Sequence, residues 1–163
     1  MFKAVQTDSD IDRVVSLANL IWHDHYDPIV GSDQVTYMLE HFHSPQVIKN
    51  QIENEGYRYF LIGHNGRIVG YMGVQPNDNE LFLSKLYILS TERSKGLGRT
   101  SMSHIVDLAF ELKLDKVRLT VNKNNIGSIK AYEKMGFKKT DTVVEDIGGG
   151  YVMDDYEMEL TLT

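Results

Sequence analysis

A strand, a glycine-rich turn and a helix follow one another within residues 81–100 (LFLSKLYILSTERSKGLGRT), and this segment constrains the fold most. An apolar run predicts a buried strand, and apolar residues at alternating steps of four and three after the turn predict an amphipathic helix. Gly96 and Gly98 let a ligand approach where a β-carbon would collide. The first N–H groups of a helix lack internal acceptors and attract anions. With positive charge from Arg93, Lys95 and Arg99, the segment predicts a pyrophosphate site.

Two common phosphate-binding loops do not match this spacing. A Walker loop places a lysine and then serine or threonine after its last glycine, whereas Arg99 and Thr100 follow Gly98 here. A dinucleotide fingerprint requires a third glycine three residues after the second, and Ser101 stands at that position. The remaining pattern is R-x-x-G-x-G at residues 93–98, directly after a buried strand.

Length and composition indicate one globular domain, residues 1–163. Without cysteine, the chain forms no disulfide and has no thiolate ligand for a metal ion. The chain has no cysteine, 17 lysines and arginines and 23 acidic residues, giving a net charge of −6. This balance argues against nucleic acid as the main partner and suits a cationic substrate. No apolar run approaches the roughly 20 residues that span a bilayer, and the N-terminus lacks the apolar core of a signal peptide. We therefore expect a cytoplasmic protein with no membrane partner.

The order of predicted elements indicates a mixed α/β sheet with helices on both faces. The order is one strand, three helices, three strands, a helix, a strand, a helix and two strands. His64-Asn65-Gly66 is a strong hairpin signal, Ser44-Pro45 predicts a helix start, and Pro28 with Gly31 predicts the end of the first long helix. The crossover within residues 81–121 is expected to join two parallel strands in a right-handed sense.

A second motif lies in residues 121–137, VNKNNIGSIKAYEKMGF. It fits N-x-x-A/S-x-x-x-Y-x-x-x-G-F, one helix and one strand after the glycine-rich loop. Together the two motifs resemble those of the GNAT superfamily of N-acetyltransferases. The resemblance implies a mixed, mostly antiparallel, twisted sheet of about seven strands with a central parallel pair. It also implies acetyl transfer from acetyl-CoA to a primary amine, by a protein that is often a homodimer.

The resemblance also implies roles for individual residues. The backbone at the end of the fourth strand would pair with the pantetheine arm, and one N–H group there would hold the thioester oxygen. Residues 94–99 would bind the pyrophosphate, and two polar residues of the second motif would contact the cofactor arm. The implied cofactor-binding residues are Leu86, Tyr87, Ile88, Arg93, Ser94, Lys95, Gly96, Leu97, Gly98, Arg99, Asn125, Ser128 and Tyr132.

Tyr132 is implied to protonate the leaving thiolate. A preorganised N–H donor lowers the barrier to thioester attack, and a positioned acid helps the thiolate to leave. Helical spacing alone favours a simpler interpretation, in which Ile129, Tyr132 and Met135 form a buried stripe. The flanking Asn125 and Gly136-Phe137 favour the catalytic interpretation.

The general base is less clear, because many family members carry a glutamate inside the fourth strand. Here the matching region offers Ser84 and Lys85. Glu80 lies on the same strand and could act through water. Asp154 shares one face of the last strand with apolar residues, so it is expected to be either paired or functional. Asp155 and the other acids lie on the opposite face and are expected to be solvated. A chain of water molecules without a dedicated base is a further alternative.

The acceptor pocket of the family lies between the first helices and the last hairpin. The residues that could line it are Trp22, Tyr26, Tyr37, Met38 and Asp154. We expect a small cationic amine such as a polyamine, since the protein is acidic and the candidate pocket holds aromatic residues. A peptide N-terminus, a lysine side chain and an aminoglycoside are alternative acceptors, and a longer acyl-CoA is not excluded. A non-catalytic acyl-CoA sensor is an alternative of another class. No metal is expected, because histidines two apart on a helix diverge.

Overall fold

The computed structural model describes residues 1–162, which contain seven strands, five α-helices and one short 3-10 turn at Ser90–Glu92. In chain order the elements are β1 Phe2–Ala4, α1 Asp8–Val30, α2 Ser32–Phe42, α3 Pro45–Asn54, β2 Arg58–His64, β3 Arg67–Asn77, β4 Glu80–Ile88, α4 Leu97–Glu111, β5 Lys116–Asn122, α5 Ile126–Lys134, β6 Lys138–Gly148 and β7 Tyr151–Thr161. No helix within residues 1–162 is both long and apolar enough to cross a lipid bilayer.

All seven strands form one sheet in the order β1-β2-β3-β4-β5-β7-β6. The pair β4–β5 is parallel, with Glu80 opposite Lys116 and Phe82 opposite Arg118. The pairs β1–β2, β2–β3, β5–β7 and β6–β7 are antiparallel. The expected mixed sheet, mostly antiparallel with one parallel pair, is therefore confirmed.

Local sequence signals explain where most elements begin and end. Thr7 caps α1, because its hydroxyl accepts the N–H of Asp10 at 3.1 Å while the Asp10 carboxylate accepts the N–H of Thr7. The helix end predicted from Pro28 and Gly31 is confirmed at Gly31, with Pro28 inside the last turn. The helix continues to Val30 and stops at Gly31, whose φ of 91° breaks the helical path and whose N–H bonds to the Asp27 carbonyl.

The hairpin signal between β2 and β3 is confirmed. Asn65 and Gly66 both have positive φ, 51° and 76°, as a two-residue hairpin turn of the primed type requires. Asparagine tolerates this region better than most residues, and glycine has no β-carbon to oppose it.

The chain divides into two compact units, and each has its own buried residues. The first unit comprises Met1–Gln75 and Ser84–Ser101. Its core holds apolar residues of α1 with Tyr59, Leu61 and Tyr71. The second unit comprises Pro76–Leu83 and the chain from Met102 onward. Its buried apolar residues include Leu81, Leu83, Met102, Ile105, Ala109, Val117, Leu119, Val121, Ile129, Phe137 and Met158.

Candidate functional site

The loop between β4 and α4 has the backbone geometry of an anion site. Ser94 and Gly96 both lie in the left-handed region, with φ of 65° and 77°, and α4 begins at Leu97. Alternation of this kind points successive N–H groups toward one side of the loop. A β-carbon added at Gly96 or Gly98 would meet no heavy atom within 4 Å, so the loop faces open space. These observations fit a pyrophosphate held by main-chain N–H groups at a helix N-terminus.

A buried carboxylate anchors the start of this loop. Glu92 is only 3% exposed, and it receives hydrogen bonds from Arg67 and, at 2.7 Å, from Lys95. The hydrogen bond from Lys95 is the main reason that the pKa of Glu92 is lowered. Glu92 thus holds the Lys95 ammonium group, whose side chain is 47% exposed, and the contact of Lys95 with a ligand stays a prediction. Arg93 and Arg99 are exposed.

The end of β4 lies against β3 within the first unit. Leu89 donates its N–H to the Val69 carbonyl at 2.9 Å. A β-carbon at Gly70 would overlap the Tyr87 carbonyl oxygen, so glycine is required for this approach of the two strands. The parallel register of β4 covers Glu80 to Phe82, and Leu86–Ile88 lies beyond that register.

In the second unit, α5 carries the polar residues of the second motif. Asn125 is 4% exposed and stands at the N-cap without a side-chain capping bond. Ser128 and Tyr132 are half-buried, and the Tyr132 ring lies 5.6 Å from that of Phe137. Of the stripe considered from helical spacing, only Ile129 is buried. The stripe is therefore not a plain core, which leaves the proposed role of Tyr132 open to test.

Neither carboxylate considered as the base stands alone. Arg118 forms an ion pair with Glu80, and its guanidinium lies 4.5 Å from the centre of the Phe82 ring. Lys123 bonds to Asp154 at 2.8 Å, and this hydrogen bond raises the pKa of Lys123. Both carboxylates are therefore paired, and the role of each as base or amine anchor stays a prediction.

The buried acid of β7 is Asp155 rather than Asp154, which corrects the expectation from strand alternation. The Asp154 side chain is 54% exposed, and Val152 on the same face is 50% exposed, so the covered part of that face does not reach Asp154. Asp155 is 5% exposed, and within residues 1–162 its Oδ1 has no hydrogen-bond partner. Burial raises the pKa of Asp155 to about 6.

Aromatic residues cluster in the first unit. Trp22 and Tyr26, two of the residues expected to line the acceptor pocket, belong to this cluster. The hydroxyl groups of Tyr26 and Tyr87 lie 3.2 Å apart. The Trp22 ring stacks on His43 at 5.0 Å and contacts Tyr87 at 5.5 Å. Trp22 is only 4% exposed, so it supports the cluster from inside, and its contact with an acceptor stays a prediction.

Tyr37 and Met38 have different surroundings from Trp22. Tyr37 stacks on His41 at 4.0 Å and is half-buried. Met38 is half-buried and packs against the core of the first unit. Both side chains thus remain partly exposed, as an acceptor pocket would require, and their role stays a prediction.

A buried hydrogen-bond chain lies at the centre of the aromatic cluster. Trp22 Nε1 donates to the Tyr71 hydroxyl at 2.8 Å, and that hydroxyl lies 3.0 Å from His43 Nε2. The direction of this second hydrogen bond follows from which ring nitrogen, Nε2 or Nδ1, carries the proton of the neutral imidazole. Within residues 1–162 that Nδ1 has no partner. Burial lowers the pKa of His43, and the nearby Lys85 lowers it further.

Lys85 is the half-buried cation beside this chain. Its Nζ donates to the Ser84 hydroxyl at 2.8 Å, and burial lowers its pKa to about 8. The sequence analysis noted Lys85 only as a departure from the family glutamate, considered His43 only as a metal ligand, and missed Tyr71. The one available signal for Lys85 was its position inside an otherwise apolar strand. Within residues 1–162, no cluster of three histidine or acidic residues could hold a metal ion.

Comparison with known proteins gives a family match over most of the chain. The model of the Acetyltransferase (GNAT) family matches residues 15–137. The uncharacterized N-acetyltransferase Rv2669 of Mycobacterium tuberculosis is 34% identical over 96 residues, which are 58% of this chain and 61% of that protein. The ribosomal protein bS18-alanine N-acetyltransferase of Escherichia coli is 27% identical over 93 residues, 56% of this chain and 63% of that protein. The chain thus matches about three fifths of each relative's length.

A solved structure shares the fold over nearly the whole chain. The PaiA N-acetyltransferase of Thermoplasma acidophilum, solved in complex with coenzyme A, superposes with a TM-score of 0.80 and 18% identity. The superposition covers 99% of both chains. The similarity therefore extends beyond the segment that the family model matches.

Proposed function

Because this chain belongs to the Acetyltransferase (GNAT) family, we propose that it transfers the acetyl group of acetyl-CoA directly to a primary amine. The loop after β4 is the observation that carries this proposal. Left-handed Ser94 and Gly96, the exposed Arg93 and Arg99, and the start of α4 form a site for a diphosphate.

The residues present fit the rest of the cofactor as well. Leu86–Ile88 lies beyond the described β4–β5 register and would pair with the pantetheine arm, with one N–H group on the thioester oxygen. Asn125 and Ser128 would contact the same arm. Acetyl-CoA supplies an activated acyl group when it is bound. Tyr132 would give its phenolic proton to the departing sulfur, which a neutral phenol does without prior charging.

Among acceptors, we favour a small cationic amine such as a polyamine. The net charge of −6 attracts cations at long range. The rings of Tyr26 and Tyr87 are half-buried, and aromatic faces attract ammonium groups by about 0.5–2 kcal/mol. A cytoplasmic location fits an enzyme that uses acetyl-CoA, and a homodimer would fit the habit of the family.

A protein N-terminus is the second candidate acceptor. The observation in its favour is the sequence similarity to the Escherichia coli enzyme that acetylates ribosomal protein bS18 at alanine. A peptide acceptor would need an extended contact surface rather than a small aromatic pocket. Acceptor length therefore separates the two candidates.

The test is a thiol-release assay with acetyl-CoA and a panel of polyamines, aminoglycosides, lysine peptides and peptides with free N-termini. Mass spectrometry of each product should show one added acetyl group. We expect turnover of polyamines above that of peptides. Acetyl-CoA binding without transfer to any amine would instead support a non-catalytic sensor, and it would contradict the proposed function.

A further inference from the structure

Lys85 occupies a position on β4 directly before the backbone that is proposed to hold the thioester. Leu86 follows it in the strand, and Tyr87 packs on the aromatic cluster, with ring contacts of 5.5 Å to Trp22 and 5.6 Å to Tyr71. Lys85 is half-buried as a residue, while its ammonium group is enclosed by the surrounding side chains. The long stem of lysine gives Nζ the freedom to move toward a bound amine.

No acidic side chain within residues 1–162 forms an ion pair with Lys85. Its hydrogen bond goes to the neutral Ser84 hydroxyl. The titratable groups of the adjoining cluster are also neutral at physiological pH. They are His43 at the end of α2, whose pKa is lowered, and Tyr71 on β3, whose pKa is raised, both by burial. Enclosure without a counter-ion favours the uncharged form of a lysine.

We propose that Lys85 is the general base of the transfer reaction, with its uncharged Nζ removing a proton from the ammonium form of the acceptor. This inference rests on the proposed function. Neither Glu80 nor Asp154, the two carboxylates considered as the base, is unpaired, because Arg118 holds Glu80 and Lys123 holds Asp154. A base whose pKa lies near the working pH is the most effective kind, and Lys85 at about 8 meets that condition.

The proton balance is complete. The acceptor R–NH3⁺ gives one proton to Nζ, and the resulting R–NH2 forms the new C–N bond as the C–S bond breaks. Tyr132 gives its phenolic proton to the departing sulfur. The acetylated nitrogen then loses its second proton, which restores the Tyr132 phenol. Lys85 then releases its proton to solvent, so the net products are the amide, the free thiol and one proton. A cationic acceptor near Nζ lowers the pKa of Lys85 further, because like charges repel.

Two variants of Lys85 distinguish a role as general base from a role in binding an anionic group of the acceptor. Lys85→Met removes both functions, whereas Lys85→Arg keeps the charge and cannot lose its proton. We expect each variant to lower kcat/KM for an aliphatic amine by about 10²- to 10⁴-fold. Substantial activity of Lys85→Arg, or unchanged activity of Lys85→Met, would overturn the proposal.

A weakly basic aromatic amine is the matched control, because it is uncharged at neutral pH and needs no deprotonation before attack. Both variants should acetylate it nearly as fast as the wild type does. A parallel loss with this acceptor would indicate structural damage or lost binding and would contradict the base role. In the wild type, kcat/KM for the aliphatic amine should rise through pH about 8, and both variants should lack that limb.

A direct titration gives a readout that is independent of turnover. The measurement is ¹⁵N NMR of the lysine side chains, in which the Lys85 resonance is assigned by its loss in Lys85→Met. That resonance should titrate near pH 8, whereas the exposed lysines should titrate near their usual pKa of about 10.4. An ordinary pKa for Lys85 in an active enzyme would end this inference alone. Acetyl-CoA binding with no turnover of any amine would instead end the proposed function.

Discussion

Gly70 faces the main chain of Tyr87 so closely that a β-carbon at position 70 would overlap the Tyr87 carbonyl oxygen and lie 3.1 Å from the Ile88 Cα. Both obstructing atoms belong to the backbone, which cannot rotate away as a side chain can. Gly70→Ala should therefore push β4 away from β3 at the residues proposed to hold the thioester. We expect a loss of about 1–3 kcal/mol in unfolding free energy, measured by urea denaturation, together with weaker acetyl-CoA binding.

Gly127→Ala is the control for this substitution. A β-carbon at position 127 meets nothing within 4 Å, and the residue lies inside α5, where alanine is the better helix former. This variant should be as stable as the wild type or slightly more stable. Equal effects of the two substitutions would show that the approach of Gly70 to Tyr87 is not a constraint.

The left-handed conformation of Gly96 can be tested with a matched pair. Gly96 and Gly56 have φ of 77° and 74°, and a β-carbon at either position meets open space. Alanine at each position carries a similar strain of order 1–3 kcal/mol. Only Gly96→Ala should weaken acetyl-CoA binding, by about 10- to 100-fold in calorimetry, since it disturbs N–H groups that hold an anion. Unchanged affinity in Gly96→Ala would place the diphosphate elsewhere.

The buried Asp155 predicts an unusual dependence of stability on pH. Its pKa is raised from 3.8 to about 6, so between these values the folded protein holds a proton that the unfolded chain releases. By linkage, this group makes the folded state less stable as pH rises through that window, by up to roughly 3 kcal/mol. Asp155→Asn should remove that decline and be more stable than the wild type at pH 7.

Denaturant melts at pH 4, 5, 6 and 7 measure this effect. Asp12→Asn is the control, because Asp12 is exposed on α1, and we expect no comparable gain. An Asp155→Asn protein that is less stable than the wild type at pH 7 would contradict the account of Asp155.

Tyr132→Phe tests the proposed acid. Removal of one phenolic proton should lower kcat by about 10²- to 10⁴-fold while acetyl-CoA affinity stays nearly constant. Tyr156→Phe, at another half-buried tyrosine of the same unit, should leave both constants unchanged. An unaltered kcat in Tyr132→Phe would mean that another group protonates the sulfur.

Much of the fold could be predicted because its signals are local. The hairpin at Asn65-Gly66 and the cap at Ser44-Pro45 depend on neighbouring residues only, and both occur as predicted. The sheet class followed from the order of strands and helices. Gly31 likewise marked the end of α1, and Pro28 lies inside the last turn of that helix.

The candidate site could be predicted only where main-chain geometry defines it. Glycines at fixed spacing predicted the phosphate loop, whereas the hydrogen bond from Lys95 to Glu92 depends on how deeply the turn is buried. Strand alternation gave the faces of Asp154 and Asp155 but not how far each face is covered. Burial of His43 likewise arises from contacts with distant parts of the chain, which no local pattern encodes.

A crystal structure with acetyl-CoA bound is the most direct measurement of the central claim. We expect the diphosphate on the N–H groups of residues 94–99, the thioester oxygen on an N–H of Leu86–Ile88, and the Tyr132 hydroxyl within hydrogen-bond distance of the sulfur. A diphosphate bound away from this loop, or a sulfur out of reach of Tyr132, would contradict the account.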